Sequence, residues 1–296
     1  MTLGGVRGYN LGMNSLFIFF QHIIPQHLLS RALGWLAELR YPIGLKNFVI
    51  ERFIGQFNVN MDEAADSDPA AYASFNEFFT RPLKEGARPI AVADIVCPAD
   101  GAISQLGSIN DCHIFQAKGH SFTTEDLLGG DRERAQLFRD GQFATIYLSP
   151  KDYHRVHMPL AGTLSASCYV PGKLFSVNGV TAENVERLFA RNERLVCYFD
   201  TEIGPMALVL VGAMVVAGIE TVWSGQVAPP PALPVTTDFL NVPEAVSLAK
   251  GEEMGRFKLG STAILLFPKG AVAWDDSYSA GSGTRLGESL GSFVAA

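Results

Sequence analysis

The strongest constraint on the fold is a series of short apolar runs that begins near residue 90 and is punctuated by glycine and proline. Each run is rich in Val, Ile, Phe or Tyr, a pattern that predicts β-strands. A short helix is predicted within 75–83, ending before Pro82. We therefore expect an α+β fold whose body is mostly β, built from packed antiparallel or mixed sheets. The predicted strands are 144–148, 163–170, 195–199, 207–211, 215–219 and 263–267, and the other predicted helices of the body are 124–128, 132–138 and 181–189.

The first 60 residues have a different pattern, which predicts an amphipathic helical appendage at 1–60 ahead of a body at 61–296. They hold five basic and two acidic side chains. Basic amphipathic helices with aromatic residues are typical of proteins that lie on an anionic membrane surface. Packing of the same apolar stripe against the protein's own core would explain the spacing equally well. One stripe consists of Leu28, Leu29, Ala32, Leu33, Leu36 and Leu39.

Composition excludes several classes of function. The net charge is −7 and no basic run is interleaved with aromatic residues, which argues against a nucleic-acid partner. The four cysteines show no C-x-x-C spacing, so we expect reduced thiols and no zinc site. The longest apolar stretch, 206–219, has 14 residues. Because a membrane-spanning helix needs at least ~17, this stretch is predicted to form a pair of buried strands.

The sequence Leu-Gly-Ser-Thr at 259–262 is a candidate self-cleavage site. Gly260 has no Cβ, so its carbonyl can be approached closely, and the Ser261 hydroxyl follows directly. Addition of that hydroxyl to the carbonyl would replace the amide by an ester, provided that a base removes its proton. Gly-Ser is also a common turn dipeptide, so the motif alone leaves an ordinary turn open.

Three further residues could activate the Ser261 hydroxyl. His154 and His157 lie three residues apart in a segment bounded by Pro150 and Pro159, which leaves little room for a helix. Asp100 lies in a predicted turn before a strand. Asp, His and Ser are the parts of an activated hydroxyl nucleophile in any chain order. A structural role for the histidines, a metal site at them, and a turn role for Asp100 remain open on these residues alone.

Together these features resemble the phosphatidylserine decarboxylase family over about residues 10–270. The specific part is 255–262, whose processing tetrapeptide has the form found in the bacterial and mitochondrial branch. The helical N-terminus without a long presequence is similar to the bacterial enzymes, and residues after Trp274 show no feature that we can relate to the family. The other motifs in family order are 75–83, 98–101, 118–119, 147–159, 169–172, 175–178 and 192–194.

The resemblance implies a self-processing proenzyme. Asp100 would orient His157, which would remove the Ser261 proton for attack on Gly260. Elimination and hydrolysis would leave a pyruvoyl group at residue 261, with a β chain of 1–260 and an α chain of 261–296. This covalent pyruvoyl group would be the cofactor, with neither a metal nor pyridoxal phosphate.

The resemblance also implies the reaction and its setting. The amine of phosphatidylserine would form a Schiff base with the pyruvoyl ketone, CO₂ would leave, and His154, or else His157, would protonate the carbanion to give phosphatidylethanolamine. The substrate would lie in an anionic membrane, approached past Tyr153, Met158 and Phe175 unless these pack in the core. We expect a peripheral protein on the cytoplasmic face of a bacterial membrane, with the α and β chains as a heterodimer that forms a homodimer.

Two other classes of protein fit part of the sequence. An unprocessed hydrolase could use the same Asp, His and Ser residues without self-cleavage. The G-x-S-x-G match at 287–291 does not support it, because a nucleophile elbow needs a later histidine and only five residues follow. A noncatalytic membrane-associated β module would leave Asp100, His154 and His157 without a chemical role.

Overall fold

The computed structural model describes residues 18–214, 218–227, 233–240, 242–258 and 261–294. It confirms the α+β class, with helices first and a β body after them. Residues 18–23 are helical and are followed by α1 (Gln26–Ala37) and α2 (Ile43–Phe57). A 3-10 turn at Pro69–Ala71 and the short helix α3 (Phe75–Phe79) then lead into the body. Among the described residues, no helix has the length and apolarity needed to cross a bilayer.

The centre of the body is a nine-stranded antiparallel sheet that contains five of the six predicted strands, those at 144–148, 163–170, 195–199, 207–211 and 263–267. Its strands are β2 (Gly101–Ser108), β5 (Gln142–Leu148), β7 (Gly162–Val170), β8 (Arg194–Thr201), β9 (Gly204–Gly212), β12 (Val235–Asp238), β13 (Ser247–Leu248), β15 (Ser261–Phe267) and β17 (Gly283–Thr284). The main path runs in the order β12, β7, β8, β9, β15, β5, β2, β17, and β13 pairs with the first two residues of β7.

A smaller sheet covers one face of the large one. It has the order β11, β10, β14, β6, formed by β6 (Arg155–His157), β10 (Gly218–Thr221), β11 (Gly225–Gln226) and β14 (Glu253–Lys258). Apolar side chains of the two sheets form one buried cluster, in which Val156 and Phe257 meet Leu148, Ala263 and Leu265. We call this cluster the interlayer core. Of the strand predicted at 215–219, residues 218–219 lie in β10, and residues 215–217 lie outside the described part of the chain.

The opposite face of the large sheet is covered by a hairpin and short helices. These are β3 (His113–Ala117), β4 (His120–Thr123), α4 (Thr124–Leu127), α5 (Arg132–Gln136), α6 (Gly179–Asn184) and α7 (Leu188–Arg191). The prediction of a single helix at 181–189 was wrong. Val185 is extended and Arg187 has a left-handed φ of 54°, so the helix is interrupted between α6 and α7.

Three short strands, one before the body's large sheet begins and two near the end of the chain, pair in a further sheet. They are β1 (Ile95–Val96), β16 (Val272–Trp274) and β18 (Ser289–Phe293), in the order β1, β18, β16. Because β18 and β17 belong to the last part of the chain, the C-terminal tail is integrated into the body by backbone pairing on both sides of residues 97–100.

Candidate active site

Ser261 is the first residue of β15, in the middle of the large sheet. It pairs with Leu148 on β5 and with Gly212 on β9. The side chain is completely buried, and its Oγ has no hydrogen-bond partner among the described residues. Most buried hydroxyl groups are hydrogen-bonded, so this oxygen is available for chemistry. The other half of the predicted cleavage site, Gly260, lies outside the described residues.

The direction of the Ser261 side chain follows from the alternation along β15. Ala263, Leu265 and Phe267 contribute to the interlayer core, whereas Ile264 and Leu266 contribute to the cluster on the opposite face. Side chains two residues apart on a strand share a face. The Ser261 hydroxyl therefore faces the layer between the two sheets.

His154 faces the same layer from the smaller sheet. The N–H of Phe257 donates to the His154 carbonyl over 3.0 Å, which continues the pairing of β6 with β14 by one residue. His154 shares the face of Val156, which packs in the interlayer core. The loop 149–154 begins beside Leu148, the partner of Ser261, and ends at His154. Both ends of this loop thus adjoin the segment that carries the predicted cleavage site.

The His154 ring presents one nitrogen that is free to act. Its Nδ1 lies 2.8 Å from the Asp152 carbonyl, and since a carbonyl only accepts, Nδ1 carries the hydrogen. The lone pair therefore resides on Nε2, which is buried and has no partner in the part of the chain that the structure describes. The ring is completely buried and its centroid lies 4.0 Å from that of Phe79.

Burial lowers the pKa of His154 to about 3, and the positive charge of Arg81 acts in the same direction. The hydrogen bond to the Asp152 carbonyl opposes this shift without reversing it. At neutral pH the side chain is consequently a neutral imidazole with a free lone pair. Such a group can accept a proton, and it can return that proton in a later step.

His157 lies on the other face of the smaller sheet. It is opposite Glu253, and three residues of strand separate it from His154, a span of roughly 10 Å. Its Nδ1 donates to the Gly251 carbonyl over 2.8 Å, and its Nε2 lies 3.3 Å from the Tyr153 hydroxyl. Burial lowers the pKa of His157, while the nearby charges of Glu253 and Asp100 partly offset that effect. Alternation along β6 thus places His154 on the face toward the interlayer core and His157 on the opposite face.

Asp100 is held by groups other than His157. Arg88 Nε donates to both carboxylate oxygens, at 2.9 and 3.1 Å, and the N–H of Leu286 donates to Oδ1 over 2.8 Å. Among the described residues, the hydrogen bonds of the Asp100 carboxylate go to Arg88 and Leu286, and the expected orientation of His157 by Asp100 stays a prediction. The His157 ring is hydrogen-bonded to Gly251 and Tyr153, and the charge of Asp100 acts on it through space.

Three residues were proposed for the lipid approach, and they have different environments. Met158 is completely buried in the interlayer core, and Phe175 belongs to the cluster on the opposite face. Both side chains therefore pack in the core, which was the alternative to lining the lipid approach. Tyr153 instead lines a polar cavity of about 240 Å³ together with Arg81, Arg88 and Asp100.

Sequence reasoning missed two arginines of this cavity, the buried Arg81 and the half-buried Arg88. Arg81 is only 3% exposed, its Nε has no hydrogen-bond partner, and burial lowers its pKa. The burial of Arg81 could have been suspected from its place after the aromatic run of α3, whereas Arg88 lies in an irregular segment without any periodic signal.

The other candidate groups are possible metal ligands, the cysteines and the serine of the G-x-S-x-G match. The described residues contain no group of three His, Cys, Asp or Glu side chains arranged for a metal ion. Cys97, Cys112, Cys168 and Cys197 are free thiols. Ser289, in the G-x-S-x-G match, begins strand β18 and has no helix after it, so the geometry of a nucleophile elbow is not formed.

Comparison with known proteins gives matches over nearly the whole chain. A family model described as phosphatidylserine decarboxylase matches residues 75–292, and a second, described as PSD, matches residues 16–58. A phosphatidylserine decarboxylase proenzyme of Ectopseudomonas mendocina is 60% identical over 280 residues, which cover 93% of this chain and 97% of that protein. Proteins of the same name from Marinobacter nauticus and Hahella chejuensis are 57% and 56% identical, cover 94% of this chain, and are themselves covered to 98% and 94%.

Proposed function

The chain belongs to the phosphatidylserine decarboxylase family, a family of carboxy-lyases, and on this premise we propose that it acts through a pyruvoyl group made from its own Ser261. The reaction converts phosphatidylserine to phosphatidylethanolamine and CO₂. The observation that carries the proposal is the completely buried, unpartnered Ser261 hydroxyl at the head of a central strand, directly after Gly260 in the sequence.

The residues around position 261 fit a group of this kind. A ketone at the chain end needs a dry site, a nearby proton donor and acceptor, and no competing hydrogen bond to the precursor hydroxyl. Ser261 is held by pairing with two neighbouring strands and faces the interlayer core. His154 supplies an imidazole on that side, with Nε2 free.

Self-cleavage is written as three balanced steps. Ser261 Oγ loses its proton and bonds to the Gly260 carbonyl carbon, and the C–N bond breaks to give an ester and a free amine. Loss of a proton from Cα of residue 261 then expels the Gly260 carboxylate and leaves a Cα=Cβ double bond. Water finally converts the enamine to a ketone and releases ammonia. The products are chains 1–260 and 261–296.

In the lipid reaction, a pyruvoyl group at residue 261 would supply an electron sink for the loss of CO₂ from a substrate held through its amine. The chain's own residues must exclude water and return a proton to the substrate Cα. We propose His154 for this proton transfer, because its free Nε2 lies on the face of residue 261. An approaching anionic substrate would favour the protonated imidazole and so raise its pKa from about 3.

We propose that Asp100 and His157 serve the self-cleavage step. This assignment rests on the family resemblance of the two motifs that carry them. The geometry favours a second candidate for the proton acceptor, since His154 faces the Ser261 layer and His157 does not. In that case His157 would act by anchoring β6, the strand that leads from His154.

The first experiment tests the origin of the pyruvoyl group. Ser261→Ala should remain one chain of 296 residues, as measured by intact mass, and should release no CO₂ from phosphatidylserine vesicles. Thr262→Ala is the matched control, because Thr262 is equally buried and its hydroxyl is also unpartnered, but it lies on the opposite face. That control should still be cleaved. Cleavage between residues 260 and 261 in the Ser261→Ala variant would refute the proposal.

The second experiment separates the two histidines. His154→Ala should be cleaved and then release CO₂ at least ~100-fold more slowly, the usual cost of losing a general acid. His157→Ala and Asp100→Ala should accumulate the uncleaved chain on a denaturing gel. If His154→Ala stays uncleaved while His157→Ala is processed, the proton acceptor of the first step is His154. Full turnover by cleaved His154→Ala would remove His154 from the lipid reaction.

For location and partners, we propose a peripheral protein on the cytoplasmic face of a bacterial membrane, in which paired α and β chains form a homodimer. The apolar stripe of α1 supports the membrane contact. Leu28, Leu36 and Leu39 point to solvent, and the buried face of the helix consists of Gln26, Ser30, Gly34 and Ala37. Core packing therefore does not account for most of the stripe. On α2, Ile50 is the buried position, and Phe48 is 62% exposed.

A further inference from the structure

The residues after Trp274 form a tail that encloses the segment carrying Asp100. Strand β17 pairs with the start of β2, at Gly101 and Ala102, and strand β18 pairs with β1, at Ile95 and Val96. Residues 97–100 thus lie between two points at which the tail is hydrogen-bonded to the body. In a cleaved molecule the tail would belong to the short chain and Asp100 to the long one.

Further hydrogen bonds, from both backbone and side-chain groups, join the tail to residues 97–99. The N–H of Cys97 donates to the Glu288 carbonyl over 2.8 Å, and the N–H of Gly287 donates to the Cys97 carbonyl over 3.0 Å. The Thr284 hydroxyl donates to the Ala99 carbonyl over 3.1 Å. The tail therefore fixes the backbone on which Asp100 is mounted.

The Asp100 carboxylate itself receives one of its donors from the tail, the N–H of Leu286 at 2.8 Å. The other donor is Arg88, whose side chain is also bonded to Glu63 over 2.8 Å. Glu63 in turn accepts from Arg285 of the tail over 2.7 Å. Arg285, Glu63, Arg88 and Asp100 form one chain of alternating charges, which we call the tail relay. Charge-assisted bonds of this kind are shorter and stronger than neutral ones.

The Asp100 segment is also connected to the strand that leads from His154. The N–H of His157 donates to the Pro98 carbonyl over 2.8 Å, and the N–H of Val96 donates to the Pro159 carbonyl over 3.0 Å. A displaced 97–100 segment would therefore disturb both Asp100 and the position of β6. The contacts form a continuous path from the tail, through residues 97–100, to the two histidines.

We propose that Arg88 and the docked tail, through Leu286 and Arg285, are the positioning elements for Asp100, so that self-cleavage follows the docking of the C-terminal tail. The inference rests on the proposed role of Asp100 in self-cleavage. A chain whose tail is not yet in place lacks one donor to the carboxylate and the outer end of the tail relay. Cleavage is thereby delayed until segment 261–296 of the precursor is paired with the body through β17 and β18 as well as β15.

The test measures the rate at which the full-length precursor is cleaved after synthesis. Arg88→Gln should slow cleavage at least ~10-fold, and Arg285→Gln and Glu63→Gln by about two- to fivefold each, since they act one or two bonds further from Asp100. Arg88→Lys and Arg285→Lys should recover part of the rate, because they keep the positive charge. Arg132→Gln is the control, as Arg132 is likewise an exposed arginine paired with one glutamate, Glu125, outside the tail relay.

The melting temperature of each uncleaved variant, made in a Ser261→Ala background, separates positioning from general destabilisation. The expected result is slow cleavage of Arg285→Gln with a melting temperature equal to that of Arg132→Gln. Wild-type cleavage rates in Arg88→Gln, Glu63→Gln and Arg285→Gln, with Asp100→Ala blocked, would overturn this inference alone. Normal cleavage of Asp100→Ala would instead overturn the proposed role of Asp100.

Discussion

At the scale of single residues, the buried imidazole of His154 makes stability depend on pH. Its pKa is about 3 in the folded protein, below the ordinary value of 6.5. The unfolded chain therefore binds an extra proton between these two values. The contribution of the neutral ring is fully present above pH 6.5 and is lost as the pH falls toward 3.

We expect the free energy of unfolding to decline more steeply with acidification in the parent protein than in His154→Phe. A phenylalanine keeps an aromatic ring beside Phe79 but does not titrate. The difference in slope should approach about 1.4 kcal/mol per pH unit between pH 6 and pH 4. Denaturant titrations of the Ser261→Ala precursor would measure it. Equal slopes would show that His154 is solvated in the folded state.

The reactive residues could be chosen from the sequence, whereas their mutual arrangement could not. Ser261, His154, His157 and Asp100 lie in short motifs with recognisable chemistry. The two histidines lie on opposite faces of the smaller sheet because β6 is a strand, in which residues three apart point to opposite sides. The partner of Asp100 depends on tertiary contact, since Leu286 lies 186 positions away in the sequence.

At the scale of elements, the N-terminal helices have a periodic apolar pattern that is compatible with two different environments. The same leucine stripe suits a core or a lipid surface, and the spacing cannot distinguish them. The structure distinguishes them because small and polar residues of α1 occupy its buried face. Between α1 and α2 lies an apolar groove of about 590 Å³, lined by Leu36, Tyr41 and Phe48 among others.

We predict that Trp35→Ser together with Phe48→Ser weakens binding to vesicles containing anionic phospholipid by at least ~10-fold. These side chains are 66% and 62% exposed, so the fold should not depend on them, and each offers a large apolar area to the bilayer interface. Phe115→Ser is the control, because Phe115 is also an exposed aromatic residue but lies on the hairpin of the body. Sedimentation with liposomes measures the effect. Unchanged binding of the double variant would place the membrane contact elsewhere.

The β elements were the more predictable part of the fold. Buried central strands such as β9 and β15 are continuous apolar runs, and their length and flanking glycines separate them from helices. Short edge pairs such as β17, with only two residues, carry no such signal. In the described part of the tail after Trp274, the strands are β17, with two residues, and β18, with five, and for this reason its role could not be predicted from the sequence.

At the scale of the whole molecule, the proposed cleavage would divide the large sheet at its middle. β15 pairs along its length with β5 and along most of it with β9, and all seven of its residues are buried. Chain 261–296 would thus contribute a central strand, and β17 and β18 would add further pairing. The two chains should remain associated without a covalent bond.

We expect the cleaved protein to elute as one species in native gel filtration and to give two bands on a denaturing gel. Urea should release the short chain only in the transition that unfolds the body, because β15 cannot leave while β5 and β9 stay paired. Intrinsic fluorescence and the elution of chain 261–296 would be followed in the same samples. Release of that chain at a lower urea concentration than unfolding would contradict this prediction. The homodimer remains a prediction of the family resemblance.

The central position of β15 also affects whether a processed molecule can refold after it has unfolded. A strand that must insert between two neighbours is easily placed while it is tethered to the strand before it, and much less easily once it is a separate peptide of 36 residues. Heat or denaturant would then inactivate the processed protein permanently, even though the uncut precursor could refold. Supply of fresh enzyme would depend on new synthesis rather than on repair.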